Sequence, residues 1–108
     1  PLALRSVRFE SYAALNRHDE AAQEAKKVWR GAASQAGPDS HQALVGQIDY
    51  ASALCQTDRR KEGLRIAEDA LGTSRGRMGA DYPLTHVLRF FLAQCQIADG
   101  QYAAAARN

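Results

Sequence analysis

The sequence predicts an all-α fold made of helical hairpins, and two observations support this. Alanine is abundant, aromatic residues make up 7% of the 108 residues, and β-branched residues are few, a composition that favours helices over sheets. Glycine- and proline-containing loop signals recur along the chain at a constant interval. Regular spacing of loops between helical stretches is the pattern of a repeat protein.

The repeat has a period of 42 residues. Gly37-Pro38-Asp39 and Gly79-Ala80-Asp81 are one period apart, and each follows one helical stretch and precedes another. A second marker consists of Asn16, Asp58 and Gly100, again one period apart. These residue types tolerate the left-handed backbone found just past a helix C-terminus. We therefore expect three hairpins that turn at the second marker.

Six helices follow from this reading, at about residues 2–15, 19–35, 41–56, 60–75, 83–98 and 102 to the end. Asp39 or Ser40 can cap the third helix, and Asp81 can cap the fifth, which has Pro83 in its first turn. The whole chain reads as one repeat domain, residues 1–108, with units at about 1–36, 37–78 and 79–108. Because it begins at Pro1 without an initiator Met, we expect it to belong to a longer protein.

Small and apolar residues recur at the same places in the second helix of each unit. A small residue lies early in all three, at Ala21, Gly63 and Ala105, where two helix backbones could approach closely. Farther along, Ala25, Val28 and Trp29 correspond to Ala67, Ala70 and Leu71. This helical spacing predicts an apolar stripe that faces the core.

Several motifs resemble the 42-residue tetratricopeptide repeats of kinesin light chains and many bacterial signalling proteins. They are Gly37-Pro38-Asp39, Tyr50-Ala51, Gly79-Ala80-Asp81-Tyr82-Pro83, Leu92-Ala93 and Gly100-Gln101-Tyr102, and the resemblance covers nearly the whole chain. It implies a right-handed α-α superhelix of about three hairpins within a cytoplasmic, regulatory protein of bacterial origin. It also implies a concave surface, lined by the first helices, that binds a peptide or protein partner.

Carried over position by position, the resemblance assigns residues to that concave surface. In the middle and last units they are Val45, Ile48, Asp49, Ser52, Gln56, Val87, Phe90, Phe91, Gln94 and Ala98, with Ala3, Ser6, Val7 and Glu10 as counterparts in the first unit. Family members often carry an Asn pair where this chain has Ile48-Asp49 and Phe90-Phe91. A clamp for a peptide carboxylate is therefore not expected, and contact would be mainly apolar. Alternatively, at least one of the two phenylalanines is buried between hairpins.

The two cysteines give no sign of a metal site. Cys55 and Cys95 lie forty positions apart, without a CxxC pair, in apolar helical stretches. This context favours free, buried cysteines that fill the core, although a disulfide between them stays open.

Catalysis, cofactors and several classes of partner are not expected. His18, His41 and His86 lie at unrelated spacings, and the structural reading makes His18 a turn-flanking surface residue. The glycine-rich stretch 72–79 lacks the order of a phosphate-binding loop. A net charge of +2, without aromatic residues interleaved among the basic clusters, does not favour nucleic acid. No stretch approaches the roughly 20 apolar residues of a membrane span.

Three hypotheses for function remain open, and none is enzymatic. The first is a protein-interaction scaffold that uses the concave surface. The second is a structural spacer or self-association element of a larger signalling protein, because a solenoid cut from its neighbours exposes apolar helix faces and could form a homo-oligomer. The third is nucleic-acid contact through convex basic residues, which would show a steep salt dependence.

Overall fold

The chain folds into four α-helices in the computed structural model, which describes residues 2–107, with side chains described for residues 17–101. The helices are α1 (Leu2–Ala36), α2 (His41–Cys55), α3 (Arg60–Met78) and α4 (Pro83–Arg107). The described range contains no strand, and the all-α prediction is confirmed.

The two loops at the repeat signal form as predicted. α1 ends before Gly37 and α3 ends before Gly79, and these two glycines have φ angles of 100° and 99°. The Gly37 N–H donates to Ala33 O at 3.0 Å, and the Gly79 N–H donates to Arg75 O at 3.1 Å. Glycine adopts this left-handed backbone without the strain of a Cβ, so both helices stop one period apart.

The capping residue of α2 is Ser40, one of the two candidates from the sequence. Its side chain accepts a hydrogen bond from the Ala43 N–H at 3.1 Å, which satisfies one of the free donors at the helix start. α4 begins at Pro83, as expected from the tolerance of proline in a first helical turn.

The prediction of six helices is wrong, because two of the three turn markers lie inside helices. α1 continues through Asn16 and α4 continues through Gly100. Alanine-rich sequence flanks both positions and no proline interrupts either helix, so the cost of about 1 kcal/mol for one helical glycine does not break α4. Only Asp58 lies in a turn, between α2 and α3.

The turn at Asp58 also forms by a different means from the one predicted. No described non-glycine residue has a positive φ, so the left-handed backbone expected there is absent. Instead the Thr57 hydroxyl donates to Leu54 O at 2.7 Å and accepts from the Arg59 N–H at 3.1 Å. One threonine side chain thus pairs with a carbonyl at the end of α2 and with an N–H just before α3.

α2 lies at the centre of the molecule and contacts all three other helices. One buried cluster joins α2, α3 and α4 through Leu44, Ile48, Ala51, Ala67, Ala70, Leu71, Leu84 and Leu88. A second cluster joins α1 to α2 through Ala22, Tyr50, Ala53 and Leu54, with Trp29 packed against it. The predicted stripe is confirmed on α3, but Val28 of α1 is 61% exposed, so that part of the prediction is wrong.

Glycines mark the closest helix contacts. A Cβ on Gly63 would lie 2.8 Å from Ala51 O and from Cys55 Sγ, which confirms the predicted close approach of α3 to α2. A Cβ on Gly46 would lie 2.7 Å from Trp29 Cα, a second close approach that the repeat did not indicate. On α1, Ala21 is exposed and Ala22 is buried, so the small residue at this contact comes one position later than predicted.

Polar contacts fasten α4 to α3 at both ends of their interface. The buried Thr85 hydroxyl donates to Gly79 O at 2.8 Å, so the buried Ser74 hydroxyl, 2.7 Å away, must be the donor to Thr85 Oγ1. Farther along, Lys61 Nζ forms a 2.7 Å ion pair with Asp99. α3 therefore holds α4 through a buried hydroxyl chain near its start and a charged pair farther on.

Candidate functional site

A groove with a volume of about 460 Å³ lies where α1, α2 and α4 meet. Ten described residues line it: His18 and Ala21 from α1, Ser52, Ala53 and Cys55 from α2, Gln56 just past the end of α2, and Phe90, Phe91, Gln94 and Cys95 from α4. On α2 and α4 these residues recur at one-turn spacing, so each helix presents one face to the groove. We call this site the groove.

The apolar wall from α4 consists mainly of two phenylalanine rings. Phe90 and Phe91 meet edge to face, with ring centroids 5.7 Å apart. Phe91 is half-buried and packs against the core cluster of α2, α3 and α4, whereas Phe90 is 59% exposed. The two rings therefore differ: Phe91 anchors the wall to the core, and Phe90 leaves aromatic surface open at the rim.

Cys55 and Cys95 form a disulfide beside this wall. It joins the end of α2 to the middle of α4, with the two Cα atoms 5.4 Å apart, a separation that a disulfide can span. Both cysteines are 2% exposed, which confirms their predicted burial. The prediction that they are free thiols is wrong, because the fold brings together two helices that are far apart in the sequence.

The polar groups of the groove are two uncharged amides, one hydroxyl and one histidine. Gln56, just past α2, and Gln94, on α4, are exposed side chains on opposite walls, and His18 lies on α1. The Ser52 hydroxyl oxygen is buried without a hydrogen-bond partner among the described residues. No Lys, Arg, Asp or Glu is found among the described lining residues. The groove is thus apolar with a few neutral hydrogen-bonding groups.

Of the residues predicted for the concave surface, five line the groove, namely Ser52, Gln56, Phe90, Phe91 and Gln94. Ile48 lies in the core at 2% exposure, and Val45 packs against the same core cluster. Asp49 is exposed on α2, and partial desolvation raises the pKa of its carboxyl. Val87 is 44% exposed on α4, and Ala98 is half-buried. Ala3, Ser6, Val7 and Glu10 lie outside the described side chains.

Five lining residues were not predicted for the site: His18, Ala21, Ala53, Cys55 and Cys95. His18 was predicted to flank a turn at the surface, but it lies within the continuous α1 and shares a helix face with Ala21, three residues on. Had the sequence indicated a continuous helix through Asn16, this spacing would have predicted the shared face. The cysteines offered no such signal, because only the tertiary arrangement pairs them.

A second, more polar pocket of about 250 Å³ lies between α1 and the start of α3, and it includes Lys26, Tyr50 and Arg59. Arg59 donates to Tyr50 Oη at 3.2 Å and pairs with Glu62 at 2.8 Å. The hydrogen bond to the Glu62 carboxylate is the main cause of the raised pKa of Arg59. Lys26 Nζ lies 5.6 Å from the centre of the Tyr50 ring. Arg59 and Lys26 already have partners within the chain, so we interpret this pocket as a structural feature and not as a binding site.

Among the residues with described side chains, no group of three or more His, Cys, Asp or Glu could hold a metal ion. In the described helices, no segment combines the length and apolar character needed to cross a membrane.

Comparisons with family models, curated proteins and solved structures find no match to this chain. The resemblance to tetratricopeptide repeats therefore stays a prediction from the sequence motifs.

Proposed function

We propose that this chain is a protein-interaction module whose groove binds an uncharged, apolar segment of a partner protein. The observation that carries the proposal is the groove itself, about 460 Å³ in volume, with the exposed ring of Phe90 at its rim. Its volume falls within the range of about 300–1,000 Å³ typical of ligand-binding clefts. Covering an exposed aromatic ring removes apolar surface from water and favours binding.

The polar residues of the groove suit a peptide backbone. The amide side chains of Gln56 and Gln94 each carry donors and an acceptor, so they can pair with either backbone group of a bound segment. The Ser52 hydroxyl has no described partner, and because its oxygen is buried, a bound segment would pair with it only if the wall of the groove shifted locally. Neutral hydrogen-bonding groups beside apolar walls fix the register of a segment while its side chains supply the contact area.

The absence of Lys, Arg, Asp and Glu among the described lining residues determines the chemistry of the occupant. A charged side chain entering an apolar groove loses hydration, and no ion pair there would compensate. We therefore expect an internal segment with neutral apolar side chains and no recognition of a terminal carboxylate. This agrees with the prediction from Ile48-Asp49 and Phe90-Phe91 that no carboxylate clamp exists.

The tetratricopeptide-like superhelix is part of the same proposal. In the predicted repeat, α2 and α4 begin the second and third units, and the groove lies between these two helices. Such first helices line the concave surface in the family that the sequence resembles. We further propose that the chain is a non-enzymatic scaffold in a cytoplasmic regulatory protein. In this proposal it uses no cofactor and contacts neither membrane nor nucleic acid.

The test is a selection from a displayed library of random peptides, followed by affinity measurement on a synthesised winner by fluorescence anisotropy. A Ser52→Arg, Gln94→Arg variant should fill the groove and weaken binding at least about tenfold, which is ~1.4 kcal/mol. Phe90→Ala removes exposed ring without touching the core and should weaken binding less. Circular dichroism establishes that each variant keeps its helices.

A matched control carries the same added charge on the same two helices. Gln42 and Gln96 are exposed on α2 and α4 and do not line the groove, so Gln42→Arg, Gln96→Arg should bind as the native chain does. Winners rich in charged residues, equal losses in both double-arginine variants, or no winner at all would each count against the proposal.

Self-association is a second candidate function, and a separate observation on α4 favours it. Val87, Phe90 and Ile97 are 44%, 59% and 55% exposed, and with the exposed Gln94 they form a row that we call the outer stripe. Their steps of three, four and three residues match a coiled-coil seam. The spacing of three, four and three residues is the same in both chain directions. A second copy lying antiparallel would therefore place Val87 opposite Ile97.

The flanks of the outer stripe do not oppose such pairing. The neighbouring described positions include Phe91, Ala93 and Ala98. None of these three side chains is charged, and only that of Phe91 is large. Sedimentation equilibrium should show dimers that Val87→Glu, Ile97→Glu abolishes, because four carboxylates would then meet at the interface. Gln96→Glu, on the same helix but off the stripe, should leave the dimer intact. Monomers across the concentration range would exclude this candidate.

A further inference from the structure

The disulfide lies where breaking it would alter the shape of the groove. Cys55 and Cys95 both line the groove, and their bond joins its α2 wall directly to its α4 wall. The remaining described groove residues contribute no second covalent link between these helices. The bond therefore fixes the separation of the two walls at this level.

We infer that Cys55 and Cys95 form a reversible dithiol–disulfide pair that controls how tightly the groove binds its apolar segment. This inference rests on the proposed function of the groove. In the oxidised chain the walls are held together and the site is preorganised, so the bound segment does not have to order it. In the reduced chain the walls separate and affinity falls.

The chemistry needs an external dithiol of the thioredoxin class or two monothiols. A thiolate of the reductant attacks one sulfur, breaks the Cys55–Cys95 bond and forms a mixed disulfide, and the second reductant thiol then displaces the chain. Two electrons pass to the chain, which ends with two protonated thiols, and the reductant leaves as a disulfide. Because both cysteines are 2% exposed, the reductant has to reach them through the groove that they line.

The packing around Cys55 decides which wall moves on reduction. Two unbonded sulfurs repel one another inside about 3.5 Å, so the pair needs more room once the bond is broken. Cys55 is closely packed on the side of α3, because its Sγ already takes the space that a Cβ on Gly63 would need, the two lying only 2.8 Å apart if that Cβ were added. We therefore expect the displacement to fall mainly on Cys95 and on α4, which carries Phe90, Phe91 and Gln94.

The contacts of α4 with α3 suggest how this displacement is distributed. The buried Ser74–Thr85–Gly79 hydrogen bonds hold the first turns of α4, ten residues before Cys95. The Lys61–Asp99 pair beyond Cys95 is formed by a lysine side chain that is 82% exposed, and such pairs contribute little to stability. The middle of α4 can therefore move while its start stays in place.

The test measures the affinity of the library-selected peptide for the oxidised and reduced chain, with thiols counted by a reactive dye. Dithiothreitol should weaken binding by roughly fivefold to a hundredfold. A Cys55→Ser, Cys95→Ser variant should bind like the reduced chain and show no response to dithiothreitol. Hydrogen exchange supplies a readout without ligand: on reduction, amides of residues 90–99 should exchange faster and those of α3 should not.

Thermodynamic reciprocity gives a further check. If the peptide prefers the oxidised chain by a given factor, saturating peptide must raise the ratio of reduced to oxidised dithiothreitol needed for half-reduction by the same factor. Equal peptide affinity in both redox states would overturn the inference and leave the proposed function standing. Two reactive thiols in the oxidised preparation would overturn it as well. Failure of the peptide to bind either state would remove both.

Discussion

α2 meets its neighbours in two contrasting ways. Against α3 the contact is so close that Gly63 has no room for a Cβ beside Ala51 O. Near the C-terminal end of α2, by contrast, the groove separates α2 from α4, and the Cys55–Cys95 bond joins these two helices. The same helix therefore takes part in a closed contact and in an open one.

The difference lies in the side chains that each neighbour presents. α3 contributes Gly63, Ala67 and Ala70, so its backbone can lie close to α2. At the groove, α4 contributes Phe90 and Phe91, whose rings occupy space without closing it. Small residues make a stable core contact here, and large exposed rings leave a surface that a partner can use.

The largest effect that tests this contrast is expected within α4. Leu88 is fully buried and Phe90, two residues away, is 59% exposed. Leu88→Ala should lower the free energy of unfolding by about 2–5 kcal/mol, because it leaves a cavity in the core. Phe90→Ala should change it by less than about 1 kcal/mol, as expected for an exposed position. Urea unfolding measures both, and similar losses would mean that the rings of the groove belong to the core.

The next effect concerns the closed contact. Gly63→Ala should destabilise the chain by about 1–3 kcal/mol, since the new methyl group would press on Ala51 O and Cys55 Sγ. Gly72→Ala, in the same helix with nothing within 4 Å of its Cβ, should stabilise it by roughly 0.5–1 kcal/mol. The opposite signs make the pair informative, and a stabilising Gly63→Ala would show that the helices are farther apart.

An effect of similar size is expected at the buried link between α3 and α4. Thr85→Val keeps the shape of the side chain but leaves the buried Ser74 hydroxyl without its acceptor, which should cost about 1–3 kcal/mol. Gly79 O keeps the hydrogen bond from the Tyr82 N–H. Adding Ser74→Ala to Thr85→Val should recover part of the loss, because no orphaned donor then remains. Strictly additive losses in thermal unfolding would show that the two hydroxyls do not interact.

The sequence was sufficient for features that depend on local chemistry. The loops at Gly37 and Gly79 and the close approach at Gly63 follow from a residue type at a repeated position, and the Ser40 cap follows from a capping residue type just before a helix. The turns expected at Asn16 and Gly100 failed, because a marker residue permits a helix to end but does not force it to do so.

The candidate site was predictable in part, for a related reason. The resemblance to tetratricopeptide repeats assigned Ser52, Gln56, Phe90, Phe91 and Gln94 to one surface, but it did not separate them from Ile48, which the phase of α2 turns into the core. The pairing of Cys55 with Cys95 depends on how two distant helices pack, and no local pattern encodes that.

The smallest effect concerns Asp49, a predicted site residue on α2 that lies outside the groove. Partial desolvation raises the pKa of its carboxyl, so the folded chain retains a proton over a pH window in which the unfolded chain has lost it. The contribution of Asp49 to stability therefore falls as the pH rises through that window, just above the ordinary range of an aspartate. Asp49→Asn should remove this decline, so the native chain should lose stability relative to the variant as carboxylates ionise. Urea unfolding across that pH range measures the difference, and a native chain that instead gains on the variant would mean that Asp49 has a cationic partner.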